Sequence, residues 1–140
     1  MADDATYILD DQIGFVLRQA HQRHTAIFAS RMIGDLTPRQ FSTLARLQTQ
    51  GPLSQNHLGR LTAMDVATIK GVVDRLCGRG LVTTEPDPND ARRRVVALSA
   101  AGRDLIALAL PVAALITEDT LAPLDASERA ALVALLAKLR

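Results

Sequence analysis

A single cysteine, Cys77, and no tryptophan occur in the 140 residues of this chain. One thiol excludes an intrachain disulfide framework. Neither a CxxC pair nor a Cys/His zinc set is present, so a reducing cytoplasm is the expected setting. Charge of one sign is also missing: 16 Lys and Arg against 15 Asp and Glu leave a formal net charge of +1. That total says nothing about partners, and only the distribution of charge is informative. The N-terminal MADDATYILDD is acidic and lacks a basic segment followed by an apolar one, so it does not read as a secretory signal. The longest apolar stretch, residues 105–116, is short and interrupted for a membrane span. Internal repeats and low-complexity tracts are absent, as are a nucleophile elbow, a phosphate-cradling glycine loop and a convincing metal set. Neither an enzyme nor a cofactor is therefore expected.

What is present is apolar content of 48%, too high for a disordered chain and enough for one domain with its own core. Over residues 10–32, Ile13, Val16, Leu17, Ala20, Ile27 and Phe28 recur at steps suited to a long amphipathic helix, with acids at its front. LTPRQF follows with a capping box: Thr37 as N-cap, Pro38 at the first helical position and Gln40 at the third. The helix so opened is expected to stop at Gly51-Pro52. Ser54 caps a short helix carrying Leu58 and Leu61, and Asp65 caps another, DVATIKGVVDRLCGRG. That helix buries Ile69, Val72 or Val73, and Leu76, and closes at Gly80, with Leu81 as the apolar contact of the cap.

LVTTE and RVVALS then read as two strands joined through PDPNDARR. Ser99 caps a long apolar helix that Pro111 is expected to kink and Pro123 to end. Asp125 and Glu128 form a capping box for a last helix whose AALVALLAKL carries more apolar surface than a lone exposed terminus tolerates. The expected fold is mainly α with a small β-hairpin wing, a winged helix-turn-helix between apolar terminal helices.

Positive charge gathers in the middle, at Arg39, Arg46, Arg60, Lys70, Arg75, Arg79 and Arg92 to Arg94. Three successive guanidinium groups cannot all be buried without partners. A short helix pair whose second member ends in arginines, followed by a hairpin with a basic tip, suits double-stranded DNA: the second helix enters the major groove and the wing meets phosphate. Thr68, Gly71 and Arg75 share the outward face of that helix, with Ala67 and Lys70 beside them. Asp74 would repel phosphate and is expected to pair with an arginine such as Arg92, bracing wing against helix. Asn89, Asp90 and Ala91 form the wing's turn. Strand alternation sends neighbouring arginines to opposite faces, so one of the three is expected to brace the wing internally.

The chain resembles the MarR family of bacterial transcriptional regulators. The likeness runs through LTPRQFSTLARL, LSQNHLGRLTAMDVATIKGVVDRLCGRGLV and DPNDARRRVVALSAAG, nearly the whole chain; its most specific parts are VDRLCGRGLV, DPNDARR and ALSAAG in that order. The resemblance implies one MarR-type domain over 1–140, with dimerisation helices at about 8–33 and 100–140 and a DNA-binding lobe at about 36–99. It implies a homodimer on a pseudo-palindromic operator, acting as a cytoplasmic repressor. Thr68, Lys70 and Arg75 match recognition-helix positions, and Asp90 with Arg92 the family's D-x-R wing. The full DNA-contact set expected is Ser54, Gln55, Ala67, Thr68, Lys70, Gly71, Arg75, Asp90, Arg92, Arg93 and Arg94. Gly71 departs from the family, where a long polar or basic side chain is common.

The resemblance also implies release by a small aromatic or phenolic acid bound between the dimer helices and the DNA-binding lobe. Arg18, His21, His24 and Phe41 are the candidate contacts, the imidazoles offering donors in apolar surroundings. Two alternatives stay open: a winged-helix protein-interaction module that has lost DNA binding, supported by Gly71, and a metal-responsive regulator using His21 and His24 with His57. Cys77 reads as a small buried side chain rather than a redox switch.

Overall fold

The computed structural model describes residues 6–140, so the first five residues of the acidic N-terminal stretch lie outside the described residues. Among the described residues, six α-helices and three strands follow a 3-10 turn at Leu9–Asp11: α1 (Ile13–Arg31), α2 (Pro38–Gln50), β1 (Leu53–Ser54), α3 (Gln55–Leu61), α4 (Val66–Gly78), β2 (Val82–Pro86), β3 (Arg94–Leu98), α5 (Ala100–Thr120) and α6 (Ala126–Ala137). Contacts divide the chain into two compact units, Met32–Ala114 and the pair formed by residues up to Arg31 with Leu115–Arg140.

In the first unit the helix ends form as their sequences require. Thr37 and Gln40 make the reciprocal capping box of α2, and Gly51 at its C-cap has a φ of 75°. The Ser54 and Asp65 side chains cap α3 and α4 by accepting from the amides of His57 and Thr68. α4 closes with Gly80 at φ 72°, its amide donating to Cys77 O while Leu81 N donates to Leu76 O. This paired arrangement satisfies two orphan carbonyls and needs a residue tolerant of the left-handed region. It also turns the chain straight into β2.

β2 and β3 pair antiparallel from Val82 opposite Leu98 to Pro86 opposite Arg94. A third strand was not expected: β1, two residues long, pairs with the far edge of β3, giving the order β1-β3-β2. Two residues carry no detectable alternation, so only the fold reveals them. Leu44, Leu58, Ile69, Leu76 and Val96 are fully buried, with Val73 and Ile106 nearly so. Each such aliphatic contributes about 1.5–3 kcal/mol relative to exposure. Gly59 lets α3 and α4 approach, because a Cβ there would lie 2.9 Å from Ile69 Cγ2.

The second unit has little core of its own. Among the described residues, Phe28 of α1 and Ile116 of α5 are its buried apolar side chains. Arg23 ties α1 to the end of α5, donating to Asp119 O at 2.7 Å and Thr120 O at 3.4 Å, and Arg31 pairs with Asp119. α6 has its expected Asp125–Glu128 capping box but buries no residue; Val133 and Leu135 are about 60% exposed. Asp10 and Asp11 occupy the 3-10 turn ahead of α1 rather than its first turn. α5 continues through Pro111 to Thr120, ahead of the expected stop at Pro123. By length and composition α5 is long and apolar enough to cross a bilayer, beyond what residues 105–116 suggested. Its Gly102, Ile106 and Ala109 are nevertheless buried, as in the core helix of a globular lobe.

Candidate nucleic-acid interface

α4 is two-faced. Ile69, Val72, Val73 and Leu76 face the core, while Ala67, Lys70, Asp74 and Arg75 are exposed and Thr68 and Gly71 half-buried. Asp74 does not reach the wing: its carboxylate takes Lys70 Nζ at 2.8 Å, one turn away on the same helix. The expectation of an Asp74–Arg92 brace is therefore corrected, because a lysine at i,i+4 spacing is nearer than any wing arginine. Both side chains of the Lys70–Asp74 pair are over 60% exposed, so the pair adds little stability. It leaves Arg75 with no acidic partner among the described residues.

The wing is organised by Asp87 and Asp90. Asp87 accepts from Asn89 N at 2.8 Å, and its own amide donates to Arg93 O at 2.9 Å, closing the loop. Asp90 accepts from Arg92 N at 3.0 Å and Arg92 Nε at 3.1 Å, with Arg93 Nε at 3.7 Å. Arg94 Nη2 donates to Thr84 Oγ1 at 2.5 Å across the hairpin. All three arginines thus make a contact within the wing where one was expected to, and all three remain exposed. Arg92, Arg93 and Arg94 line a polar cavity of about 200 Å³ with Ser54, Gln55, Asn56 and Arg60. The paired β1 brings the start of α3 to the wing. Asn56 and Arg60 were not assigned to the site from sequence, because this strand pairing was not visible there.

Two carboxylates are held below the ordinary range by their bonds. Asp65 is lowered by hydrogen bonds from Thr68, and Asp90 by those from Arg92. A depressed folded-state pKa adds stability above the unfolded value, near pH 4, and this is lost as pH falls through the folded value. Asp65→Asn and Asp90→Asn are therefore expected to melt below the wild type at pH 7, with the gap narrowing as pH falls below the ordinary carboxylate range. Thermal unfolding across that range checks it; a gap independent of pH would remove both carboxylates from the acid response.

The candidate effector residues fall in both units, Arg18, His21 and His24 on α1 and Phe41 on α2. Arg18 and His21 are exposed on α1, the Arg18 guanidinium 5.7 Å from the centroid of the Phe15 ring. His24 is half-buried, with Nδ1 2.9 Å from Thr120 Oγ1. Phe41, on α2, packs against the core of the Met32–Ala114 unit. Among the described residues, no group of three or more His, Cys, Asp or Glu side chains is placed to hold a metal ion. Cys77 is half-buried against the core, not fully buried as expected.

A capped outward helix beside a cationic hairpin is the arrangement of a winged helix-turn-helix. The MarR family's sequence profile matches residues 34–93. The transcriptional repressor NicR of Pseudomonas putida is 44% identical over 138 residues, 98% of this chain and 87% of NicR. This chain belongs to the MarR family. Among solved structures, a probable transcriptional regulator from Pseudomonas aeruginosa superposes with a TM-score of 0.92 at 53% identity, covering 95% of this chain and all of that one. BpsR of Bordetella bronchiseptica, in a structure describing regulation of its DNA binding by 6-hydroxynicotinic acid, gives 0.91 at 40% identity, covering 95% and 96%. The chain is thus a MarR-type transcriptional regulator and not an enzyme. Its fold is the winged helix of this family.

Proposed function

We propose that this MarR-family protein is a cytoplasmic, homodimeric repressor that binds a pseudo-palindromic operator and leaves it when a small aromatic acid binds. The observation that carries the DNA reading is the polar cavity between the start of α3 and the wing, lined by Arg60 and the three wing arginines. A site with four guanidinium groups and no carboxylate in its lining suits a phosphodiester. It lies in the same unit as the outward face of α4. Ser54, Gln55, Arg92, Arg93 and Arg94 then hold backbone, with Asp90 orienting the wing, and Ala67, Thr68, Lys70, Gly71 and Arg75 face the bases.

Dimerisation is supported by the exposed apolar side chains of the terminal helices. Ile13, Val133, Leu135 and Leu139 are each about 60–69% exposed in the single chain, more apolar surface than an isolated regulator keeps in water. Two lobes so joined would read half-sites about one helical turn apart.

For the effector, the similarity to BpsR favours a hydroxylated pyridine carboxylate such as 6-hydroxynicotinic acid, with Arg18, His21, His24 and Phe41 as the candidate contacts. Fluorescence anisotropy with the intergenic DNA beside the gene tests both parts. Nanomolar binding at physiological salt is expected, weakened roughly tenfold or more by saturating 6-hydroxynicotinate. Binding indifferent to this acid and to related aromatic acids would refute the effector reading and leave the DNA reading intact. No binding at low salt would refute both.

A further inference from the structure

Gly71 sits in the middle of α4, where glycine costs about 1 kcal/mol relative to alanine. Packing does not explain it. At Gly59 and Gly102 a Cβ would collide with neighbouring elements, but at Gly71 it would meet one atom within 4 Å, Arg75 Nη1 at 3.4 Å. The Arg75 guanidinium therefore lies back along the helix over the Gly71 backbone, in the direction that helical side chains lean. Gly71 is half-buried, and Arg75 remains exposed. The Lys70–Asp74 ion pair occupies the neighbouring positions, so the adjacent carboxylate is already engaged by lysine.

We infer that Gly71 is a specificity-determining residue: by lacking a side chain it lets the Arg75 guanidinium rest against the helix, poised to read one guanine in each half-site. The inference rests on the proposed reading of DNA by α4. An arginine reads guanine through O6 and N7 with two parallel donors, and this requires the fork to arrive in one orientation. A guanidinium held close to the helix backbone also lets the helix approach the groove floor. Alanine at 71 places its Cβ at ordinary contact distance from the guanidinium. Glutamine, longer and flexible, takes the space that the guanidinium occupies and lifts Arg75 away.

The experiment is selection from a randomised 30-base-pair duplex library with purified full-length wild type, Gly71→Ala, Gly71→Gln, Arg75→Ala and the Gly71→Gln/Arg75→Ala double variant, alongside thermal unfolding of each. Wild type is expected to select one guanine per half-site that Arg75→Ala no longer selects. Gly71→Gln is expected to weaken that guanine preference roughly tenfold, while its melting temperature rises because glutamine favours helix over glycine. Gly71→Ala should melt higher and weaken the preference less than Gly71→Gln, because its added carbon only reaches ordinary contact distance from the Arg75 guanidinium. In the double variant, glutamine should weaken the preference no further than Arg75→Ala alone. A purely structural role for Gly71 would instead lower the melting temperature and leave the selected bases alone. Gly71→Gln selecting the wild-type guanine with undiminished strength overturns the inference while DNA reading by α4 stands. Arg75→Ala selecting the same sequences as wild type overturns base reading by Arg75 and the inference with it. A wild type that selects no sequence overturns the underlying functional reading.

Discussion

Replacing Arg93 and Arg94 together by alanine is expected to flatten the dependence of operator affinity on salt by about three to four units in log K against log salt. If each arginine meets one phosphate and the dimer has two wings, four contacts are lost, each worth about 0.9 of slope. At about 0.1 M salt the affinity itself should fall by a factor on the order of a hundred to a thousand. Sequence preference should survive, because phosphate contacts position the protein without distinguishing bases. The wing should also stay folded although Arg94→Ala gives up the bond to Thr84 Oγ1: the β2–β3 pairing is between backbones, Asp90 keeps its bonds to Arg92, and the Asp87 amide keeps its bond to the Arg93 carbonyl, which alanine retains. Anisotropy titrations at four or five salt concentrations measure the slope. A double variant with the wild-type slope would remove the wing from the interface, whatever the family suggests.

The second large effect is on stability, at Gly102. The first turn of α5 is held by Ser99, whose hydroxyl accepts from Gly102 N at 3.0 Å and donates to Gly80 O at 2.6 Å, while Ser99 N donates to Leu81 O at 3.1 Å. These bonds press the start of α5 onto the end of α4. A Cβ at Gly102 would run into the Leu81 carbonyl, a backbone group already fixed by its hydrogen bond. Two opposing terms decide the sign. Alanine gains about 1 kcal/mol of helix propensity, but overpacking against backbone costs about 1–3 kcal/mol or more and breaks the cap besides. Gly102→Ala is expected to lose about 2 kcal/mol net or more. Gly78→Ala, with nothing within 4 Å of the added carbon, should gain a fraction of 1 kcal/mol. Urea unfolding of both variants at one protein concentration separates them. A Gly102→Ala protein as stable as wild type would mean that the helix start moves freely, contrary to the bonding of Ser99.

Signals confined to a few consecutive residues were legible in the chain itself. The capping boxes at Thr37 and Asp125, the N-caps at Ser54 and Asp65 and the left-handed stop at Gly80 all form as expected. Each is a bargain between neighbouring side chains and orphan backbone groups, and it is settled within one helical turn. The buried stripe of α4 was legible for the same reason, since a 3.6-residue period assigns it to one face. Asp74 shows where this stops. A carboxylate among arginines has several partners in sequence, and distance alone selects Lys70.

From the residues alone came the order of elements, the basic middle of the chain and its likeness to a winged-helix regulator, because capping, periodicity and turn chemistry are short-range. The fold alone decided that two residues at Leu53 and Ser54 form a strand on β3, bringing Asn56 and Arg60 to the wing. It also decided that Arg75 lies over Gly71 and that Asp74 pairs with Lys70 on its own helix. Pairings between segments distant in sequence depend on how the chain closes in space, and no local preference encodes that closure.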